Sequence, residues 1–207
     1  MDILILGGFL GAGKTTLLLK LVDGLREQAR NANRKEPAIA ILENEIGSVG
    51  IDDQLIEDRG YAVSSVLSGC ACCTATTELT VAVRGIIQDM DPDLLIIEGS
   101  GVAFPDQIRD SIQNIVGISG KICTLADSSR WMRIRVPLET MLVPQIKAAD
   151  LICMSKADLI DAQSAEAVEQ SIREINELAP IVKIASSDPE AGSRIACEVQ
   201  KLFEKDR

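Results

Sequence analysis

The sequence predicts an α/β fold of three layers, a mainly parallel sheet with helices on both faces, built as a single domain over residues 1–207. Three observations carry this expectation. Aliphatic runs of about five residues alternate with stretches whose apolar residues recur at helical spacing. Most of these runs are continuous, as in strands covered on both faces. The polar, glycine-bearing segments each follow such a run, and right-handed crossovers bring the ends of parallel strands to one edge of the sheet.

Taken in order, residues 3–6 are the first buried strand. Gly8-Phe9-Leu10-Gly11-Ala12-Gly13-Lys14-Thr15 then matches the phosphate-binding pattern G-x-x-x-x-G-K-[ST], with Thr16 following. The strand before it and the leucine-rich helix after it are the context that the mechanism requires, so the expected class is a P-loop NTPase. Gly8, Gly11 and Gly13 let backbone N–H groups approach phosphate oxygens with no Cβ in the way, and Ala12 adds little bulk. The helix start points its positive dipole end at the same place. Lys14 supplies a full charge for the β- and γ-phosphates, and the Thr15 hydroxyl is a candidate Mg²⁺ ligand.

The helix expected over 15–30 has leucines at 17, 18, 21 and 25. Residues 38–42 are a second strand, running into the polar loop 43–52. Residues 61–67, partly alternating and β-branched, read as a strand; Cys70-Ala71-Cys72-Cys73 follows, and then a helix over 76–90. Residues 94–97 are a buried strand ending in Glu98-Gly99-Ser100-Gly101, and 104–115 a helix. A strand over 121–126 ends at Asp127. Residues 128–136 give no clear pattern. A helix is expected over 137–147 with Pro137 in its first turn and Pro144 kinking or shortening it. A strand over 150–154 leads to Ser155-Lys156-Ala157-Asp158. Ser164 opens a helix reaching 178; 181–185 is the last strand, and 189–203 the last helix.

Composition removes several function classes. Lys and Arg total 21 against 31 Asp and Glu, a formal charge of −10, whose field repels polyanions; nucleic acid is not an expected partner. There are no histidines, which excludes a Ser-His-Asp triad, a His general base and any His metal ligand. No apolar run approaches the ~20 residues that cross a bilayer, so no membrane association is expected. The phosphate pattern begins at Gly8 with no basic segment and cleavable apolar stretch before it, so a cytoplasmic location is expected. Cys123, Cys153 and Cys197 sit singly in apolar or amphipathic stretches and are expected to be buried small hydrophobes.

Three constellations carry chemistry. Glu98 ends a buried strand, where it can hold Mg²⁺ through water or orient an attacking water, and the Gly101 N–H can touch a γ-phosphate. Asp127 also ends a strand and is the second choice for the acidic role. Ser155-Lys156-Ala157-Asp158 matches the guanine-reading pattern of GTPases with Ser in the usual Asn place. A carboxylate there accepts two parallel bonds from guanine's ring N–H and exocyclic amine, a pair of donors that adenine lacks. GTP is therefore expected over ATP, with Ser186, after the last strand, in the short loop beside the base. Cys70, Cys72 and Cys73 put three soft thiolate ligands within four residues, suited to Zn²⁺ or, more weakly, Co²⁺, with Glu43 or Glu45 as a fourth ligand. A buried inert cluster and a thiol redox site are the competing readings of those cysteines.

These pieces in this order resemble the CobW-type GTPases, relatives of the HypB and UreG nickel-insertion GTPases. The residues that carry the resemblance are 7–16, Glu43-Asn44-Glu45-Ile46-Gly47 with Gly50-Ile51-Asp52, Gly69-Cys70-Ala71-Cys72-Cys73, Glu98-Gly99-Ser100-Gly101 and Ser155-Lys156-Ala157-Asp158. The resemblance implies a nucleotide-gated metal carrier that takes a transition metal at the cysteines and hands it to a client apo-metalloprotein or a corrinoid pathway. It also implies that 43–52 is a switch loop, with Glu45 or Asp52 near Mg²⁺ or the attacking water. Lys14, Glu45 and Glu98 are the implied catalytic set. Many members carry a further C-terminal domain and a histidine-rich tract, and this sequence shows neither, the pattern of a short form. Two other functions compete. One is a small-molecule kinase, which would need a substrate hydroxyl pocket and a lid of basic residues; the sequence shows no arginine-rich lid, Arg130, Arg133 and Arg135 being its only tight basic cluster. The other is a nucleotide-dependent activator of a corrinoid or redox protein with structural cysteines. A homodimer across the cysteine loop is an open possibility.

Overall fold

The computed structural model describes residues 1–44, 62–65, 74–185 and 187–205. The described residues form seven strands, β1 (Asp2–Gly8), β2 (Ile39–Asn44), β3 (Ala62–Ser65), β4 (Leu94–Gly99), β5 (Lys121–Asp127), β6 (Leu151–Ser155) and β7 (Ile181–Lys183). They form one sheet in the order β3-β2-β4-β1-β5-β6-β7 with every neighbouring pair parallel. The helices are α1 (Lys14–Asn31), α2 (Thr74–Met90), α3 (Pro105–Val116), α4 (Trp131–Ile134), α5 (Glu139–Lys147), α6 (Ala162–Arg173) and α7 (Ala191–Glu204), with a 3₁₀ turn at Ala157–Leu159. No described helix is long and apolar enough to cross a membrane.

The continuous aliphatic strands explain the three layers. Side chains alternate across a strand, so β1 sends Leu4 and Leu6 to one face and Ile3 and Ile5 to the other, all four fully buried. Leu4 and Leu6 belong to one core cluster with Leu18, Leu21 and Val22 of α1 and Ile195 and Val199 of α7. Ile3 and Ile5 belong to a second with Val83 of α2, Ile112 of α3, Ile146 of α5 and Ile172 of α6. Each such burial contributes about 1.5–3 kcal/mol relative to exposure, and a strand polar on either face would forfeit it.

All seven expected strands are present. The differences lie at element ends and in one connection; the last strand stops at Lys183, two residues short of the expected end. Residues 128–136, without a clear pattern in the sequence, contain α4, whose Trp131 is buried and donates its indole N–H to Ser171 Oγ at 2.9 Å. Pro137 lies outside α5, which starts at Glu139, and Pro144 sits inside it. Ser164 does not open α6: Asp161 caps it, its carboxylate accepting from the Ser164 N–H at 2.7 Å. That helix stops at Arg173, and Leu178 is 93% exposed in the turn beyond. Cys123 and Cys153 are buried as expected, their sulfurs 3.6 Å apart; their mutual contact and burial push the Cys153 thiol up, which keeps it protonated. Cys197 is exposed instead, because α7 turns Ile195, Ala196, Val199 and Leu202 inward and leaves 197 on its outer side.

One contact has no counterpart in the apolar pattern. Gly24 of α1 and Gly192 at the start of α7 meet backbone to backbone: a Cβ on Gly24 would lie 2.4 Å from the Gly192 carbonyl, and one on Gly192 2.4 Å from the Lys20 carbonyl oxygen. Only glycine permits that approach.

Candidate nucleotide-binding site

β1 is the point where the strand order reverses, with β4 on one side and β5 on the other. Ligands of open α/β sheets sit beyond the carboxyl ends of the strands at such a point. The segments after β1, β4, β5 and β6 converge there.

The loop after β1 turns through Gly8, Gly11 and Gly13, all at positive φ (138°, 71° and 94°), a region that side chains rarely adopt. Gly13 is also the N-cap of α1. It supplies no side-chain hydrogen bond, and no acidic residue stands in the first turn. Nothing from the helix's own first turn therefore competes with a phosphate for its leading N–H groups. Lys14 is buried and donates from Nζ to the Gly8 carbonyl at 3.2 Å, folded back across the loop.

The carbonyls of this loop are held one by one. The Phe9 carbonyl accepts from the Ala12 N–H at 3.0 Å. Leu10 accepts from Arg130 Nη2, Gly11 from Lys156 Nζ, and Ala12 from Ser155 Oγ, each at 2.7 Å. Ser155 is buried, and its hydroxyl works on the loop. Lys156, with φ 55°, ends β6 in a left-handed turn that throws its side chain back toward the loop. Asp158, in the 3₁₀ turn that follows, is exposed and open to a base. Between the two loops lies a cavity of about 90 Å³ lined by Ala12, Gly13, Thr16, Leu17, Lys20, Leu125, Ser155, Lys156 and Ile184.

On the other flank, Thr15 Oγ1 donates to Glu98 Oε1 at 3.2 Å. Glu98, next to last in β4, is in register with Glu43, which is next to last in the neighbouring β2 and is buried. Residues paired in parallel register point to the same face, so two carboxylates stand side by side next to the phosphate loop. The sequence suggested Glu43 only as a fourth ligand for the cysteines; its pairing with Glu98 across the sheet was not visible in the chain order. Gly101 is pressed against the loop: a Cβ there would lie 2.7 Å from the Leu10 nitrogen. The hydroxyl and carboxylate oxygens around Thr15 are hard donors of the kind Mg²⁺ takes.

Asp127 does not share the acidic role with Glu98. Its side chain, 2% exposed, takes Arg130 Nε at 2.7 Å and Lys156 Nζ at 2.8 Å on one oxygen, and Ser129 Oγ at 2.6 Å on the other. Burial raises its pKa, but the bonds from Lys156, Ser129 and Arg130 outweigh it, and the carboxyl is held below its ordinary range. The arginine cluster is not a lid either. Arg130 lies on the loop, and Arg135 pairs with Glu174 at 2.9 Å.

The site thus brings together Gly8, Gly11, Ala12, Gly13, Lys14, Thr15, Thr16, Glu98, Gly101, Ser155 and Lys156, with Asp158 beside them. The expectations for Glu45, Asp52, Cys70, Cys72, Cys73 and Ser186 fall outside the described residues. Arg130 was not expected here. No local signal marks it, since its partner Leu10 lies 120 positions earlier in the chain.

The family described as "CobW/HypB/UreG, nucleotide-binding domain" matches residues 2–183. The chain is 30% identical over 205 residues to the zinc chaperone YjiA of Escherichia coli K12, covering 91% of this chain and 58% of that protein. It is 32% identical over 196 residues to the zinc-regulated GTPase metalloprotein activator 1 of Schizosaccharomyces pombe, covering 88% and 45%. The chain spans about half the length of the curated relatives it matches. Among solved structures, HypB from Helicobacter pylori in complex with nickel superposes with a TM-score of 0.71 at 18% identity, covering 100% of this chain and 88% of that one, which shows the shared fold.

Proposed function

We infer that this chain, which belongs to the CobW/HypB/UreG family of nucleotide-binding domains, is a GTP-hydrolysing metal carrier that binds a transition metal at Cys70, Cys72 and Cys73 and releases it to a client protein under nucleotide control. The observation that carries the reading is the meeting of Lys14, Thr15 and Glu98 at the mouth of a glycine loop whose carbonyls each have a donor. That arrangement suits a nucleoside triphosphate. Relatives named zinc chaperones and zinc-regulated GTPase activators support the cargo.

The chain's own residues divide the work. Backbone N–H groups of the loop and of the start of α1 cradle the β- and γ-phosphates, and Lys14 leaves the Gly8 carbonyl to pair with them. Thr15 and Glu98 would hold Mg²⁺, which when bound offsets charge on the phosphate oxygens. Glu98 orients a water for attack on the γ-phosphorus; the bond to the β-phosphate oxygen breaks, leaving GDP and inorganic phosphate. Asp158 reads guanine through its two donors, and Ser186 borders the base. Glu45 and Asp52 belong to a switch segment ordered by the γ-phosphate. Because the cysteines lie between that segment and Glu98 in sequence, ordering it reshapes their grip on the metal. Zn²⁺ is the expected cargo and Co²⁺ the alternative. A client apo-metalloprotein or corrinoid protein is the expected recipient.

Metal titration with and without a non-hydrolysable GTP analogue tests this. Linked affinities are expected, each tenfold change reporting about 1.4 kcal/mol of coupling between the sites. Cys72→Ala should lose metal while keeping GTP. Metal uptake that ignores both the analogue and the substitution would sink the carrier and leave a GTPase with three unexplained thiols.

A further inference from the structure

We propose that Asp127 and Arg130 are positioning residues of the phosphate site: Asp127 holds the Arg130 guanidinium, and Arg130 sets the Leu10–Gly11 peptide plane that aims the Gly11 N–H at bound phosphate. The proposal rests on the phosphate-loop reading above and adds to it two residues that the motif does not contain. A trans peptide points its C=O and the following N–H in opposite directions. Pinning the Leu10 carbonyl on Arg130 at 2.7 Å therefore turns the Gly11 N–H to the other side of the loop. Ser155 does the same for the Ala12–Gly13 plane. Without such ties a glycine-rich loop explores many planes, and ordering it would be charged against ligand binding.

The brace is itself anchored. Arg130 precedes Trp131, which is buried in the core with its indole N–H bonded to Ser171. The Arg130 N–H is bonded to the Asp127 carbonyl at 3.1 Å, and the Ser128 N–H to the Ser155 carbonyl at 2.9 Å. The guanidinium then spans from Asp127 Oδ2 to the Leu10 carbonyl, 120 positions earlier in the chain. It lies so close over Gly11 that a Cβ there would meet it at 3.3 Å. Asp127 also receives Lys156, which holds the next carbonyl, so one buried carboxylate governs two consecutive planes and ties the phosphate loop to the base-side loop. Two cations on one anion leave a net positive charge behind the phosphates.

The decisive measurement compares wild type, Arg130→Ala, Arg130→Lys, Asp127→Asn and the double variant Asp127→Asn/Arg130→Ala for GTP and GDP affinity and for hydrolysis kinetics. Arg130→Ala should weaken GTP and GDP alike by about fivefold to tenfold, the scale of one lost hydrogen bond. KM should rise with kcat little changed, since the aimed N–H serves ground state and transition state equally. Arg130→Lys should recover most of the loss by reaching the Leu10 carbonyl with one donor. The double variant should bind no worse than Asp127→Asn alone. Unchanged affinity in Arg130→Ala, no recovery in Arg130→Lys, or additive losses in the double variant would each overturn the proposal. If Asp127→Asn fails to fold, the two Arg130 variants decide it. Lack of GTP binding by wild type would remove the nucleotide reading as well; binding by wild type that Lys14→Ala abolishes and Arg130→Ala leaves intact would remove this proposal alone.

Discussion

The two sides of the nucleotide site are prepared to different degrees. On the phosphate side, the carbonyls of Gly8, Phe9, Leu10, Gly11 and Ala12 all have donors within the chain. On the base side, Asp158 stands exposed in a single 3₁₀ turn beyond a left-handed Lys156. On the proposed reading, the difference separates affinity from selectivity: the braced loop would take the phosphates of any nucleoside triphosphate, and the exposed Asp158 would sort guanine from adenine.

The largest blow to that contrast is Lys14→Ala. Removing the one full charge that the loop carries should reduce GTP affinity by about a hundredfold or more and abolish hydrolysis, measured by equilibrium binding and phosphate release. Turnover at the wild-type rate would mean that the loop is not the phosphate site. Asp158→Ala should leave the phosphate side intact and collapse the preference for GTP over ATP by roughly tenfold to a hundredfold in competition binding. An unchanged ratio would place base reading elsewhere. Ser155→Ala removes one tie, the bond to the Ala12 carbonyl, and should weaken GTP and GDP together by about fivefold, or ~1 kcal/mol; a change in base preference instead would show that Ser155 faces the base. The smallest effect concerns pH. Asp127 is held below its ordinary value of 3.8 in the folded protein, so the stability it contributes is fully present above that value and is lost only as pH falls through the lower folded value. Between pH 7 and 5, wild type and Asp127→Asn should therefore melt with a constant difference. A gap that narrows already in that window would mean that the carboxylate is not held charged by its three partners.

The strands were legible because burial on both faces demands unbroken aliphatic runs, and few other segments of this chain look like that. The phosphate loop was legible because its glycines, lysine and threonine are fixed by chemistry at fixed spacing. What escaped reading depends on partners distant in sequence. Asp127 looked like a rival acid, since a carboxylate at a strand end carries the same letter whether it faces a metal or two cations. Arg130 looked like a piece of a failed lid, because nothing local says that its guanidinium reaches Leu10. Glu43 could be placed beside Glu98 only once β2 was known to pair with β4. The start of α6 was misplaced by three residues because Ser164 and Asp161 are both good cap residues, and only the bond between them shows which one caps. The Gly24–Gly192 contact escaped because helical periodicity is counted in side chains, and this contact is made where there are none.

That last contact has a mechanical meaning. Helices separated by long side chains can slide, since rotamers absorb a displacement before the backbone feels it. Here the opening helix, which begins with Lys14 and Thr15, and the closing helix, which ends at Glu204, touch main chain to main chain. Side chains elsewhere along this seam can resettle, but where Gly24 meets Gly192 nothing stands between the two backbones to give, so the spacing of the two helices is pinned at that one point.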